Sequence, residues 1–387
     1  MIRVPTVRGN TATRLIAAGG HEQVLFVGDG DVGLRAIIAI HSTALGPSLG
    51  GVRFWHYDDD EAALRDALRL SEAMTLKAAL AGLHQGGGKA VVLWDDPDRP
   101  RTPELLHALG RAIDGLGGRY LAAEDVGATT ADMDGLAEVT PWVTGVSESL
   151  GGSGDPSPFT AFGVLCSMRA GLHAQLGKST VRGRRVMVHG AGHVGSHLAR
   201  LLSEEGAEVL IADRDPARAE RIAAETGATV VAADEALTVF CDVLAPCALG
   251  GVLTESVAPL LRCRVVVGAA NNQLVDRAAD LAIARRGILV VPDFVASAGG
   301  IVNIAQEFTG YDRDRAHAET ARIEDTTARV LEWARHDGVT PTDAALAMAR
   351  RRIEEEGADD DDGVARRWRP GDPAAWTNGR PLTHLRG

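Results

Sequence analysis

The sequence predicts an α/β fold in two parts, an N-terminal α/β domain and a C-terminal doubly wound parallel sheet of the Rossmann kind, with a cleft between them. Three observations carry this. Short apolar runs at 185–189, 208–212, 228–231, 242–245, 265–268 and 288–291 alternate with helical stretches, the rhythm of βαβ units whose sheet is covered on both faces. The stretch from Gly145 to Pro158 is rich in Gly, Ser and Pro, the composition of a connecting segment. Gly190-Ala191-Gly192-His193-Val194-Gly195 directly follows the first of the later runs and opens a helix. The expected domains are residues 1–150 and 151–340, with a helix from about 340 packing back on the first and an irregular, acidic tail over 357–387.

At 387 residues the chain is long enough for two or three domains, each with its own core. A formal net charge of −12 argues against a nucleic-acid partner, because phosphate-backbone binding needs clustered cations. No apolar run of about 18 residues occurs, so neither a membrane span nor a leader is expected, and a cytoplasmic location is. The four cysteines, Cys166, Cys241, Cys247 and Cys263, form no C-x-x-C pair. They read as small buried hydrophobes, so no metal or disulfide framework is expected.

In the first part, 24–27 and 34–40 are β-branched runs separated by Gly28-Asp29-Gly30-Asp31, a hairpin. Gly46 to Gly51 reads as a turn. A helix is expected from Glu61 to Leu83, then a strand opening at Lys89. Thr102-Pro103-Glu104 has the form of an N-cap with proline at the first helical position, starting a helix to about Leu116. Tyr120 to Ala123 reads as a strand, with Asp125 just past its end. In the second part, a helix with a glycine pair starts at Asp293, and helical sequence runs from about Asp312 to Arg335 and from Pro341 to Glu356. Asp359 to Asp362 is a run of acids that reads as a solvated tail.

A lone G-x-G-x-x-G is a weak signal. Here a strand precedes it, a helix follows it, and Asp213 ends the next strand about twenty positions on, which is the context of a dinucleotide fingerprint. The carboxylate can accept the ribose hydroxyls of NAD and would repel a 2′-phosphate, so NAD is favoured over NADP, with Arg214 beside it as a contrary signal. Gly190, Ala191, Gly192, His193, Val194 and Gly195 are the expected pyrophosphate turn. Ala248, and then Ala270, Asn271 and Asn272, follow later strands at the carboxyl edge where open α/β sheets bind ligands.

The chemistry is expected elsewhere, at two lysines. Stepping back from Lys77 by three or four residues meets Met74, Leu70, Ala67 and Ala63, so Lys77 lies in the apolar stripe of an amphipathic helix. Gly86-Gly87-Gly88-Lys89 then places a second lysine at the start of the apolar run 90–94, behind glycines that permit close approach. Either lysine alone reads equally well as a side chain snorkelling to solvent.

Taken together, Gly46-Pro47-Ser48-Leu49-Gly50-Gly51-Val52-Arg53, the lysine pair, Ala123-Glu124-Asp125-Val126-Gly127 and Gly152-Ser153-Gly154-Asp155-Pro156-Ser157-Pro158 resemble the amino-acid dehydrogenase family of leucine, valine and phenylalanine dehydrogenases. The resemblance runs in order from about Gly46 to about Gly310. It implies NAD-dependent, reversible oxidative deamination of an L-amino acid to a 2-oxo acid and ammonia. By the same resemblance Lys77 holds the substrate carboxylate, Lys89 is the base that activates water, and Asp125 shuttles the proton at the amino group. Gly50 and Gly51 would leave room for substrate, Ile301 and Ile304 would line its side-chain pocket, and Ser157 and Thr160 would contact the nicotinamide amide. The 270–271 region would lie against the nicotinamide end. The family is typically oligomeric through its N-terminal domain, so a homo-oligomer is expected.

A lysine is a poor base at its usual pKa of about 10.4, but desolvation and a second nearby ammonium would both push Lys89 down. The aliphatic wall favours a branched-chain substrate, valine or leucine, over glutamate, whose second carboxylate needs a polar partner. Two alternatives stay open at this point: an aromatic, phenylalanine-type dehydrogenase, and an inactive NAD-binding sensor that keeps the fold.

Overall fold

The computed structural model describes residues 11–96 and 99–358. The expected acidic run at 359–362 and the tail to 387 lie outside the described residues.

The first part is a five-stranded mixed sheet in the order β1-β2-β4-β3-β5. Strands β1 (Gln23–Asp29) and β2 (Leu34–Ser42) form the expected hairpin. Strand β4 (Gly86–Leu93) is antiparallel to β2, while β3 (Ser48–Trp55) runs parallel to both β4 and β5 (Tyr120–Glu124). Two expectations are corrected here. Residues 48–51 belong to the interior strand β3 and not to a turn, and the three glycines before Lys89 are the first residues of β4. Glycine in a strand usually marks a close approach of backbones, and that holds here. A Cβ at Gly50 would fall 1.7 Å from the Gly88 carbonyl oxygen, and one at Gly87 would fall 2.1 Å from the Thr75 amide nitrogen.

The short helix α1 (Thr11–Ala18) was not expected. Helix α2 (Asp60–Leu80) starts at Asp59, whose carboxylate accepts from the Ala62 amide, and packs on β4 over Gly87. Helix α3 (Pro103–Asp114) has the predicted Thr102 cap. Helix α4 (Thr130–Ala137), also unexpected, opens with a reciprocal Thr129–Asp132 capping box.

A 20-residue helix, α5 (Ser157–Leu176), leads into the second part. It escaped the sequence reading because its apolar residues surround the axis and leave no stripe. It is packed among helices and the second sheet. That sheet has six parallel strands, β6 (Arg185–His189), β7 (Glu208–Ala212), β8 (Thr229–Val230), β9 (Val243–Pro246), β10 (Val265–Val266) and β11 (Leu289–Val290), in the order β11-β10-β9-β6-β7-β8. The order reverses between β6 and β9, the switch point where such sheets bind ligands. Helices α6 (His193–Glu204), α7 (Pro216–Thr226) and α8 (Arg277–Ala284) connect strands.

The single helices expected after Asp293 and Asp312 are each two. They are α9 (Asp293–Ala296) with α10 (Gly299–Ala305), and α11 (Arg313–Ala321) with α12 (Ile323–Asp337). Helix α13 (Pro341–Ala358) returns to α2, where the Arg352 guanidinium donates to the carbonyls of Ala79 at 2.6 Å and Leu83 at 3.0 Å. Ala79 lies in the last turn of α2 and Leu83 just beyond its end, so α13 anchors the end of the helix that carries Lys77.

Candidate active site

One cavity of about 450 Å³ lies between the two sheets. From the first part it is lined by Gly50, Gly51, Lys77, Lys89 and Asp125, and from the second by Ser157, Thr160, His193, Val194, Asn271, Asn272, Ile301 and Ile304. Of the remaining predicted site residues, Gly190, Ala191, Gly192, Gly195, Asp213, Arg214, Ala248 and Ala270 lie outside its lining.

The lysine and the carboxylate meet because of a missing side chain. Lys89 is on β4 and Asp125 follows β5, with β3 between them. At Gly51 of β3 a Cβ would sit 2.4 Å from the Asp125 Cβ and 3.2 Å from the Lys89 Nζ. Over this gap Lys89 Nζ reaches Asp125 Oδ2 at 2.7 Å. Lys89 is 3% exposed. Burial lowers its pKa, Asp125 opposes that fall, and the nearby Arg53 guanidinium adds to it. The cation that helps push Lys89 down is therefore foremost Arg53, where the sequence pointed to the other lysine. Burial alone would raise the Asp125 carboxyl, but Lys89 and Arg53 hold it well below the usual carboxylate range.

Lys77, in the last turn of α2, points into the same cavity and donates to Ser297 Oγ at 2.9 Å. Burial lowers its pKa, against the pull of Asp293 and with the push of the Lys89 ammonium. Asp293 is enclosed, and burial raises its carboxyl, while its Oδ2 accepts from the Asn272 amide at 2.9 Å. Asn272 has φ of 52°, a left-handed backbone that asparagine tolerates better than most residues. Glu124, also in the lining, accepts from Thr130 Oγ1 at 3.0 Å, and burial raises its pKa. Arg53, Ser297, Asp293 and Glu124 are site residues to which the sequence reading gave no role. Charge in a run that is otherwise apolar or glycine-rich was the available signal for Arg53 and Glu124.

Ser157 is the first residue of α5, its amide donating to Asp155 Oδ1 at 2.8 Å, and Thr160 Oγ1 donates to the Pro156 carbonyl at 3.1 Å. Ile301 and Ile304 on α10 are buried, and both pack into the core of the first sheet.

The glycine turn fits a dinucleotide. Gly190 has φ of 117°, and Gly195 lies so near it that a Cβ would come 1.9 Å from the Gly190 carbonyl oxygen. Helix α6 begins at Gly192 with no side-chain cap, and a Cβ at Gly192 would meet open space. Uncapped amides at a helix N-terminus facing open space form a ready site for a pyrophosphate. Asp213 follows β7 and accepts from the Ala191 amide at 2.7 Å, which brings its carboxylate beside the turn. A carboxylate oxygen has further lone pairs for ribose hydroxyls. Ala248 packs against Gly190, and Ala270 hydrogen-bonds back to Pro246. Elsewhere, burial pushes the four thiols up to about 12, so they stay protonated and inert.

A dinucleotide-binding sheet facing a buried lysine–carboxylate pair defines an NAD-dependent oxidoreductase. Residues 21–141 match the family model for the Glu/Leu/Phe/Val dehydrogenase dimerisation domain, and 211–359 match that for Glutamate/Leucine/Phenylalanine/Valine dehydrogenase. Residues 167–249 match the NAD binding domain of D-isomer specific 2-hydroxyacid dehydrogenases. The chain is 46% identical to a leucine dehydrogenase of Bacillus cereus, over 86% of this chain and 91% of the relative. It is 47% identical to a valine dehydrogenase of Streptomyces virginiae, over 87% of this chain and 94% of the relative. Its structure is similar to that of L-tryptophan dehydrogenase from Nostoc punctiforme, with a TM-score of 0.77, 39% identity, and coverage of 89% of this chain and 99% of the other. The chain belongs to the Glu/Leu/Phe/Val dehydrogenase family.

Proposed function

We propose that this protein catalyses the NAD-dependent, reversible oxidative deamination of a branched-chain aliphatic L-amino acid, valine or leucine, to its 2-oxo acid and ammonia. The observation that carries the reading is the enclosure of Lys77, Lys89, Asp125 and two isoleucines in one cavity facing the cofactor turn. Lys77 meets the substrate carboxylate, exchanging its bond to Ser297 for an ion pair in a partly buried site. Asp125 takes up the amino group and its proton. When bound, NAD supplies the acceptor for the hydride leaving Cα. Lys89, neutral once its proton is lost, draws one proton from the water that attacks the resulting imine carbon; Asp125 returns its proton to the amine nitrogen, and the C–N bond breaks as the hydroxyl oxygen gives its remaining proton to the leaving ammonia and becomes the 2-oxo carbonyl. Burial lowers Lys89, so the neutral amine forms at a lower pH than for an ordinary lysine. Activity should therefore rise with pH through that lowered value and fall away below it.

Ile301 and Ile304 offer the side chain an apolar wall, and the cations of the lining, Lys77, Lys89 and Arg53, already have assigned or carboxylate partners. Reduction of NAD with a panel of amino acids tests this. Valine or leucine should be best and glutamate near zero. A second reading, an aromatic substrate, draws support from the cavity volume and from the likeness to the tryptophan dehydrogenase; phenylalanine or tryptophan as the best substrate would establish it in place of the first. A homo-oligomer assembled through the N-terminal part belongs to this proposal, and sedimentation of the purified protein as a monomer would remove it. No helix among the described residues is long and apolar enough to cross a membrane. A cytoplasmic location is also proposed, with recovery in the membrane or secreted fraction as the contrary result.

A further inference from the structure

We infer that Arg53 is a positioning residue for this reaction: by bridging Asp125 to Asp66 it fixes the Lys89–Asp125 pair in its working place. The inference rests on the base role proposed for Lys89. Arg53 leaves β3 two residues after Gly51 and lines the same cavity. Its Nε donates to Asp125 Oδ2 at 2.7 Å, the oxygen that Lys89 Nζ also reaches at 2.7 Å. Its other arm donates to Asp66 Oδ2 at 3.0 Å. Asp66, on α2, is itself held by the Tyr57 hydroxyl at 2.8 Å and the Arg69 guanidinium at 2.8 Å. The guanidinium thus ties the loop after β5 to a helix whose own acceptor is already anchored, and a planar fork spans two carboxylates in a way a lysine cannot.

The charges around Lys89 give the bridge a signature that simple packing lacks. Asp125 and Arg53 stand beside it, Asp66 lies behind Arg53, and the Lys77 ammonium crosses the cavity with Asp293 behind that. Arg53 pushes the Lys89 pKa down, and Asp66 pushes it up. Removing one or the other should therefore move Lys89 in opposite directions, whereas a loss of scaffolding alone would move neither or would act alike in both.

Full-length Arg53→Gln, Arg53→Lys and Asp66→Asn enzymes would be compared with the wild type by two readouts. The first is the pH dependence of Lys89 acetylation by trace acetic anhydride, read by peptide mass spectrometry without substrate. The second is the pH profile of kcat at saturating NAD. Arg53→Gln should raise the Lys89 midpoint by about one pH unit, carry the acid limb of kcat with it, and lower the plateau by about tenfold or more through misplacement of Asp125. Arg53→Lys should restore the midpoint but not the plateau. Asp66→Asn should shift the midpoint downward, and it carries the test if Arg53→Gln does not fold. An unmoved Lys89 midpoint in a folded, NAD-binding Arg53→Gln enzyme overturns the inference. A midpoint that moves while the acid limb stays put supports the hold of Arg53 on the pair and removes the base role from Lys89.

Discussion

The two walls of the cleft are built by opposite means. On the first part the proposed chemistry falls to charged side chains, with Lys89, Asp125 and Arg53 held by one another and Lys77 held to Ser297 across the same cavity. On the second it falls to main chain, with the uncapped start of α6, the turn at Gly190 and one carboxylate at Asp213. The difference suits the tasks proposed for them. Proton transfer needs ionisable groups whose pKa values burial and neighbours can shift, and only side chains have those. A pyrophosphate needs several donors converging on one anion, which a helix start provides without any side chain. Glycine shapes both walls, by letting Lys89 and Asp125 meet over β3 and by leaving open space at the start of α6.

This contrast implies that the two walls fail separately, and substitutions on each can test that. Lys89→Ala should have the largest effect, a fall in kcat of about 10²–10⁴ with NAD affinity retained by calorimetry. Loss of cofactor binding in parallel would break the separation. The glycines give a matched pair. Gly51→Ala forces a methyl to within 2.4 Å of the Asp125 Cβ and should lower kcat by about a hundredfold through misplaced groups, again with NAD binding kept. Gly195→Ala brings a methyl to 1.9 Å from the Gly190 carbonyl oxygen and should weaken NAD binding by about tenfold or more, since overpacking costs about 1–3 kcal/mol. If Gly195→Ala left NAD affinity intact, the turn would not be the cofactor cradle.

Smaller effects sharpen the picture. Asp213→Ser removes a carboxylate next to Arg214, so the ratio of kcat/KM for NADP to that for NAD should rise by about tenfold, the change that ~1.4 kcal/mol produces. A wild-type enzyme already preferring NADP would refute this. Ile301→Ala should have the smallest effect, raising kcat/KM for phenylalanine relative to valine, because one methylene in an apolar pocket discriminates by only about 1–3 kcal/mol. No change in that ratio would take Ile301 out of the side-chain wall.

What could be read in the chain followed its periodicity. The six parallel strands, the hairpin, the cap at Thr102 and the glycine turn all have local signatures, and the structure has them where the sequence puts them. Helix α5 has none, because a helix buried on every side shows no polar face. The stretch at 48–51 has the composition of a turn, yet it is part of an interior strand whose glycines make room for neighbours. The ladder between Arg53, Asp66 and Asp125 joins three elements far apart in the chain, and no spacing rule announces it.

Local propensity and short-range pattern in the chain carry the fold class, the glycine turn with its acidic partner, and the placing of two lysines among apolar and glycine residues, the pair to which the proposed chemistry is assigned. Only the tertiary structure decided which cation shares Asp125 with Lys89, that Ser297 and Asp293 stand against Lys77, and that the wall of Ile301 and Ile304 is packed into the core of the opposite sheet. The physical reason is that pKa values and pocket walls are set by whatever lies within a few ångströms in space, and burial makes those neighbours count most.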